Sequence, residues 1–206
     1  MANALTGSFG WNTPVVYNSG DVFQAADYNN VVKNVALAYA KPYGILIAGT
    51  TATVAANADL FLSAQGPSLA FSNASGAGSV TFATISSHPS LTAPITGLYR
   101  ITCQVVCAHA ASHVMGIRTY GQGASSANFQ FNTGLITTAI GSGYNSSNYI
   151  SFVMPMSAYV SGASTAYPSS VYFNFNSDAS QSVIGATSSL YQTFASLEYL
   201  GSATNI

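Results

Sequence analysis

Leu91-Thr92-Ala93-Pro94-Ile95-Thr96-Gly97-Leu98-Tyr99-Arg100-Ile101 decides how the rest of this sequence is read. Pro94 fixes φ at a bend, and Gly97 permits a backbone conformation closed to other residues, so the first part of the stretch reads as a turn. A strand begins directly after it. Tyr99, Ile101, Cys103 and Val105 alternate with Arg100, Thr102 and Gln104, which gives one buried face and one wet face.

Outward from this strand the chain keeps the same rhythm. Short alternating or β-branched runs at 43–48, 59–63, 79–85, 98–108, 114–120, 128–135, 149–156, 171–176 and 191–200 are separated by clusters of Gly, Ser, Asn and Pro. Their number and spacing predict an all-β sandwich or jelly roll. Phe152, Met154 and Met156 should face one way, as should Phe173 and Phe175, giving a core of aromatic and Met side chains. The run at 191–200 reads as the closing strand.

The first 42 residues are of another kind. Residues 1–24 are polar and punctuated by Gly7, Gly10, Pro14 and Gly20, so they cannot build a core of their own. From Ala25 to Ala40 the pattern turns helical. Tyr28, Val31, Val35 and Ala38 recur at the spacing of a short coiled-coil seam, and Pro42 ends it. Two heptads are too short to stand alone, so the helix must pack on its own domain or on symmetry mates. The chain therefore divides into an irregular arm with one short α-helix, 1–42, and a β domain, 43–206.

Composition narrows the function classes. Of 206 residues, 4% are charged, against roughly 25% in an ordinary soluble protein. Lys33, Lys41, Arg100 and Arg118 are the whole basic inventory, too few to track a phosphate backbone or an anionic membrane, so no nucleic-acid partner is expected. Mean hydropathy is +0.31, yet no run reaches the ~18–20 apolar residues that span a bilayer, so membrane insertion is not expected either. Surface that is neither charged nor lipid-facing is covered by protein, which predicts an obligate oligomer or a subunit of a larger assembly. The first 30 residues lack the basic and apolar regions of a secretory signal, so secretion by that route is not expected.

The residues that carry chemistry are sparse. Asp21, Asp27, Asp59, Asp178 and Glu198 are too scattered to suggest a paired acid and base. There is no Gly-x-Ser-x-Gly elbow and no phosphate-cradling loop. His88, His109 and His113 could join a triad, but nothing nominates a nucleophile among the many serines. Cys103 and Cys107 lie four apart in a strand, roughly 13 Å between Cα atoms, too far for a disulfide. They read as small buried hydrophobes. With His109 and His113 they offer ligand types that zinc uses, spread too far along a strand to converge on one ion. No enzyme activity, cofactor or metal is expected. The Gly-, Ser- and Asn-rich loops at 72–78, 121–127, 141–147 and 161–170 read as surface connections. Where Tyr144, Asn145 and Tyr167 dot them, they also suit a polar, uncharged tip for sugars or a neighbouring protein.

The positions of Leu91, Gly97, Tyr99 and Ile101 resemble a marker of the C1q/tumour-necrosis-factor-like superfamily: a large apolar residue, five residues, Gly, any residue, Tyr, any residue, and an apolar residue. Leu91 and Ile101 stand where the C1q pattern more often has Phe. The resemblance implies a jelly-roll sandwich whose last strand returns beside the first, in a homotrimeric binding or structural module. A second resemblance lies in Trp11-Asn-Thr-Pro14-Val-Val-Tyr-Asn18-Ser-Gly20-Asp21-Val22, followed by Ala25-Ala26-Asp27-Tyr28-Asn29. It is similar to the N-terminal region of tailed-phage virion proteins, tail and fibre components in particular. Gln24 departs from it, standing where a Thr or Ser would cap the helix. This resemblance implies a virion anchor that includes Trp11, Pro14, Asp21 and Asp27 and contacts other virion proteins. Together they imply a structural protein at a virion surface, assembled in the host cytoplasm, of capsid-decoration or head-fibre type. Two alternatives remain open: a tail-fibre or tail-tip protein that recognises a host glycan or envelope component, and a bacterial C1q-like adhesin.

Overall fold

The computed structural model describes residues 19, 25–39, 41–61, 66, 68–72, 78–108, 113–122, 129–132, 136–138, 145–162, 165–185 and 193–202. A helix, α1 (Ala25–Tyr39), precedes β1 (Tyr43–Ile47), β2 (Ala52–Val54), β3 (Ala58–Asp59), β4 (Ser68–Ser72), β5 (Thr81–Ile85), β6 (His88–Thr92) and β7 (Gly97–Ala108). Then follow β8 (His113–Gln122), β9 (Phe129–Asn132), β10 (Ile136–Thr138), β11 (Asn145–Met156), β12 (Ser170–Ser177), β13 (Gln181–Val183) and β14 (Phe194–Gly201).

Two antiparallel sheets result. In the first, β4, β1, β14, β7 and β11 lie side by side, with β13 taking over from β14 along β7 and β2 pairing with β13. The expected closing strand does return beside the first: Tyr43 faces Glu198 and Ile47 faces Phe194. In the second, β8 lies between β12 on one side and β9 and β10 on the other, and β6 and then β5 continue beyond β12. β3 extends this sheet on β12, Asp59 opposite Asn174.

Alternation explains the core. Leu46, Ile101, Cys103, Met154, Met156 and Leu197 project inward from the first sheet and meet Leu91, Met115, Ile117, Val171, Phe173 and Phe175 from the second in one buried cluster. Full burial of such a side chain is worth about 1.5–3 kcal/mol. The helix reaches the same cluster through Leu37, which is 2% exposed. Its C-terminal end is tied down further on: the Tyr199 amide donates to the Pro42 carbonyl at 2.8 Å, and Lys41 Nζ donates to the Leu200 carbonyl at 3.3 Å.

The stretch 91–101 forms the bend and strand that its sequence predicts, but Gly97 is there for a different reason. Its φ lies outside the left-handed region, where Gly66, Gly78 and Gly162 are found. A Cβ at Gly97 would instead run into the Tyr199 ring and lie 2.5 Å from the Gly201 carbonyl oxygen. Close approach of β7 to β14, not backbone freedom, demands glycine. Tyr99 has a second task besides filling the core. Its hydroxyl donates to the Ile95 carbonyl at 2.7 Å and accepts from the Ile95 amide at 3.4 Å, so a buried side chain holds the turn four residues upstream. Left-handed backbone occurs where the sequence offers no glycine, at Ser86 (φ 49°) and Ser87 (φ 70°) between β5 and β6. Both centres positive is the signature of the hairpin turn whose twist matches its strands.

Candidate self-association face and outer polar face

The outward side of the first sheet follows from its register. Ile47, Phe194, Gln104 and Tyr149 form one row across β1, β14, β7 and β11; Ile45, Ser196, Thr102 and Ser151 form the next; Tyr43, Glu198, Arg100 and Val153 form the third. Tyr149 is 55% and Val153 51% exposed. The charges in these rows are Arg100 and Glu198, paired at 3.0 Å, a half-exposed bridge that adds little stability. Partial burial, with Glu198 close by, pushes the Tyr43 hydroxyl up. Half of these twelve positions are apolar or aromatic and the rest, one ion pair aside, are uncharged polar residues, where an ordinary solvated sheet carries many charges.

The helix repeats the pattern. Leu37 points into the body, and the seam points away from it: Tyr28 is 60%, Val31 52% and Val35 49% exposed, and Ala38 is exposed too. No described residue of its own domain buries the seam.

The second sheet presents the opposite chemistry. Tyr172 on β12 faces Tyr120 on β8, and the rings stack 4.8 Å apart and 8° from parallel. His88, from β6, stacks on the other side of Tyr172 at 4.2 Å and 8°. Tyr120 and Tyr172 are directly opposed across their strands, whereas His88 reaches Tyr172 from the diagonal position, Ser90 being the residue opposite it. His88 Nδ1 lies 2.7 Å from Asp59 Oδ2, Asn174 Nδ2 donates to Asp59 Oδ1 at 3.5 Å, and Arg118 donates to Asn57 Oδ1 at 3.2 Å. Burial, then the charge of Asp59 and the neighbouring Tyr120, push the Tyr172 hydroxyl up. Ser90, the serine nearest this His–Asp pair on β6, donates to the His88 backbone carbonyl at 2.9 Å, so its hydroxyl proton is directed at the backbone and not at the imidazole.

The remaining candidate residues are dispersed. Leu91, Tyr99 and Ile101 are fully buried and Pro94 sits in the bend. Trp11, Pro14, Asp21, His109 and Tyr144 lie outside the described residues; Asp27 falls in the first turn of α1 and Asn145 opens β11. Tyr167 is 44% exposed, its amide donating to Ser157 Oγ at 3.3 Å. His113 pairs with Asp178 at 2.9 Å. Cys103 and Cys107 are buried free thiols on one face of β7; burial pushes both up, Cys107 to about 12. Among the described residues no three His, Cys, Asp or Glu side chains converge as metal ligands, and no helix is long and apolar enough to cross a membrane. Sequence reasoning missed the Asp59–His88–Tyr172–Tyr120 grouping. Its signal is faint: Tyr120 and Tyr172 occupy wet-face positions in alternating strands, but nothing in one dimension says that they are neighbours.

No protein-family model matches the sequence, and no curated protein sequence matches it. Solved structures do resemble it. Eiger TNF from S. frugiperda aligns with a TM-score of 0.53 at 12% identity, over 79% of this chain and 96% of that one. The PRD1 vertex protein P5 gives 0.43 at 18% identity over 77% and 96%, and murine APRIL at pH 5.0 gives 0.41 at 10% over 77% and 99%. At such identities likeness speaks to fold alone, and it is the Eiger alignment that carries the assignment. With two curled antiparallel sheets, β14 returning beside β1, and that alignment, the fold is a TNF-like jelly roll.

Proposed function

We propose that this chain is a non-enzymatic, homotrimeric structural protein of a tailed-phage virion surface, of the capsid-decoration or head-fibre type. The observation that carries the reading is the outward face of the β1–β14–β7–β11 sheet, where Tyr149 and Val153 stand half-exposed at the β11 side, Ile45, Ile47 and Phe194 stand at the β1 side, and one charge pair lies between. The exposed seam of α1 supports it, since a sheet face and a helix stripe both lacking cover suit the same symmetric partner. Closed rotational symmetry lets every copy bury both. With so few charges, the contact should be insensitive to salt. The virion assignment rests on the Trp11–Asn29 resemblance: residues 1–42 form the anchor, and residues 43–206 project from the particle.

Sedimentation equilibrium of the full chain tests the trimer. The expected mass is three times 21.2 kDa, and Tyr149→Glu, which places a charge on the face, should lower it without unfolding the domain. A monodisperse monomer at micromolar concentration refutes the reading. The anchor is tested by removing residues 1–24, which spares Leu37 and its core contacts. The shortened chain should fold and associate but stay absent from immunolabelled particles; one that still decorates them refutes the anchor.

A further inference from the structure

We propose that the outer polar face, on the opposite side of the sandwich from the self-association face, is a binding site for neutral sugars. Its centre is a pocket of about 280 Å³ lined by Thr84 and Ser86 of the β5–β6 hairpin, Tyr159 and Ser161 of the loop after β11, and Gln122 and Ser170 at the facing ends of β8 and β12. This volume lies near the low end for small-molecule sites, suited to one sugar ring rather than a chain.

The chemistry of the lining selects the ligand class. Every polar side chain named is a hydroxyl or a carboxamide, groups that both donate and accept. A sugar hydroxyl also does both. A charged ligand would find no counter-charge among the lining residues, and an apolar one would leave the hydroxyls unpaired, each at a desolvation cost. Gln122 Oε1 is a buried acceptor without a hydrogen-bond partner in this wall. The backbone carbonyl of the same residue receives the Ser170 hydroxyl at 3.3 Å, which fixes that part of the wall.

Register extends the site beyond the pocket. Tyr120 precedes Gln122 by two residues and Tyr172 follows Ser170 by two, so the ring stack stands on the same faces of the same strands, directly along from the pocket. His88 stacks on the far side of Tyr172 and closes the row of rings. Beyond it, Asn174 is 8% exposed and its Oδ1 is a second buried acceptor without a partner. Aromatic rings bordering neutral hydrogen-bonding groups meet both sides of a sugar, its apolar CH face and its hydroxyl edge. The proposal goes beyond the architectural reading and stands or falls independently of it, because trimer contacts on the first sheet leave this face open.

Saturation-transfer NMR and calorimetry on the full chain, with lactose, maltotriose and diacetylchitobiose as probes and glucuronic acid as the charged control, test the site. At least one neutral probe should bind and the control should not. Gln122→Ala and Tyr172→Ala should each weaken binding by about fivefold or more, roughly the worth of one hydrogen bond or ring contact. Should Tyr172→Ala fail to fold, Ser161→Ala on the exposed loop carries the test with the same expectation. Absence of binding by all three neutral probes overturns the proposal. Binding that the variants leave unchanged, or a control that binds equally well, overturns it too.

Discussion

Replacing Gly97 with Ala adds one methyl at the closest approach of β7 to β14. The new carbon would meet the Tyr199 ring and the Gly201 carbonyl oxygen, and neither can give way easily. Tyr199 is 1% exposed and packs edge-on against Tyr99, ring centroids 5.3 Å apart, while Gly201 contributes main chain. Overpacking of this kind costs about 1–3 kcal/mol, and the entropy lost by the unfolded chain when Gly becomes Ala returns about 0.4–1 kcal/mol. The net loss is therefore about 1.3 kcal/mol, or a fall of about 3–5 °C in melting temperature for a domain of this size. Calorimetry at fixed protein concentration measures it, since association would otherwise move the midpoint. The cause is isolated by a cycle with Tyr199→Leu, which removes the ring: the two changes should couple by about 1 kcal/mol or more. An unchanged melting temperature, or additivity within about 0.5 kcal/mol, would refute the close-approach argument.

Tyr99→Phe keeps the ring but leaves the Ile95 carbonyl without its 2.7 Å donor; urea titration should show a loss of about 1–3 kcal/mol, and an unmoved midpoint would mean that the hydroxyl does not hold the turn. Cys103 and Cys107 should resist iodoacetamide in the folded protein at mildly alkaline pH and both react in guanidinium, because burial keeps the thiols protonated; fast labelling of the native protein would contradict this. Although local desolvation pushes the Asp178 carboxyl up, hydrogen bonds from His113 and the Val114 amide outweigh it and hold the group below the usual carboxylate range. A lowered folded value means that its contribution is complete above the ordinary carboxylate range and is lost as pH falls through the folded value. The stability gap between the wild type and Asp178→Asn should accordingly close on acidification, and a gap constant with pH counts against the pairing.

Much of the fold was legible because period-two alternation is written residue by residue. Tyr99, Ile101, Cys103 and Val105 announce the inner face of β7, and Phe173 and Phe175 do the same for β12. The turn at Pro94 was equally plain, but the reason for Gly97 was not: its neighbour, Tyr199, lies on the far side of the chain, and one-dimensional reading supplies only the generic reason for a glycine. The stripe Tyr28, Val31, Val35 and Ala38 could be read from its spacing, while the inward turn of the helix could not: it is Leu37, outside that stripe, that enters the core. The outer polar face was the least accessible. It draws on Asp59, His88, Tyr120 and Tyr172, whose pairing depends on register between strands that the sequence keeps far apart.

The pairing of β14 with both β1 and β7 sets an order on the protein's birth. The polar-faced sheet draws on residues 58–177, all of which leave the ribosome before Phe194. The other sheet cannot close until 194–201 emerge, because β14 is the strand that joins Tyr43–Ile47 to Gly97–Gln104. Until then β1 and β7 carry unpaired edges, the kind of template on which nascent chains stick to one another. The outward face of the first sheet thus comes into being only when synthesis has passed residue 201. A message cut short before Phe194 should yield insoluble product rather than a smaller soluble domain.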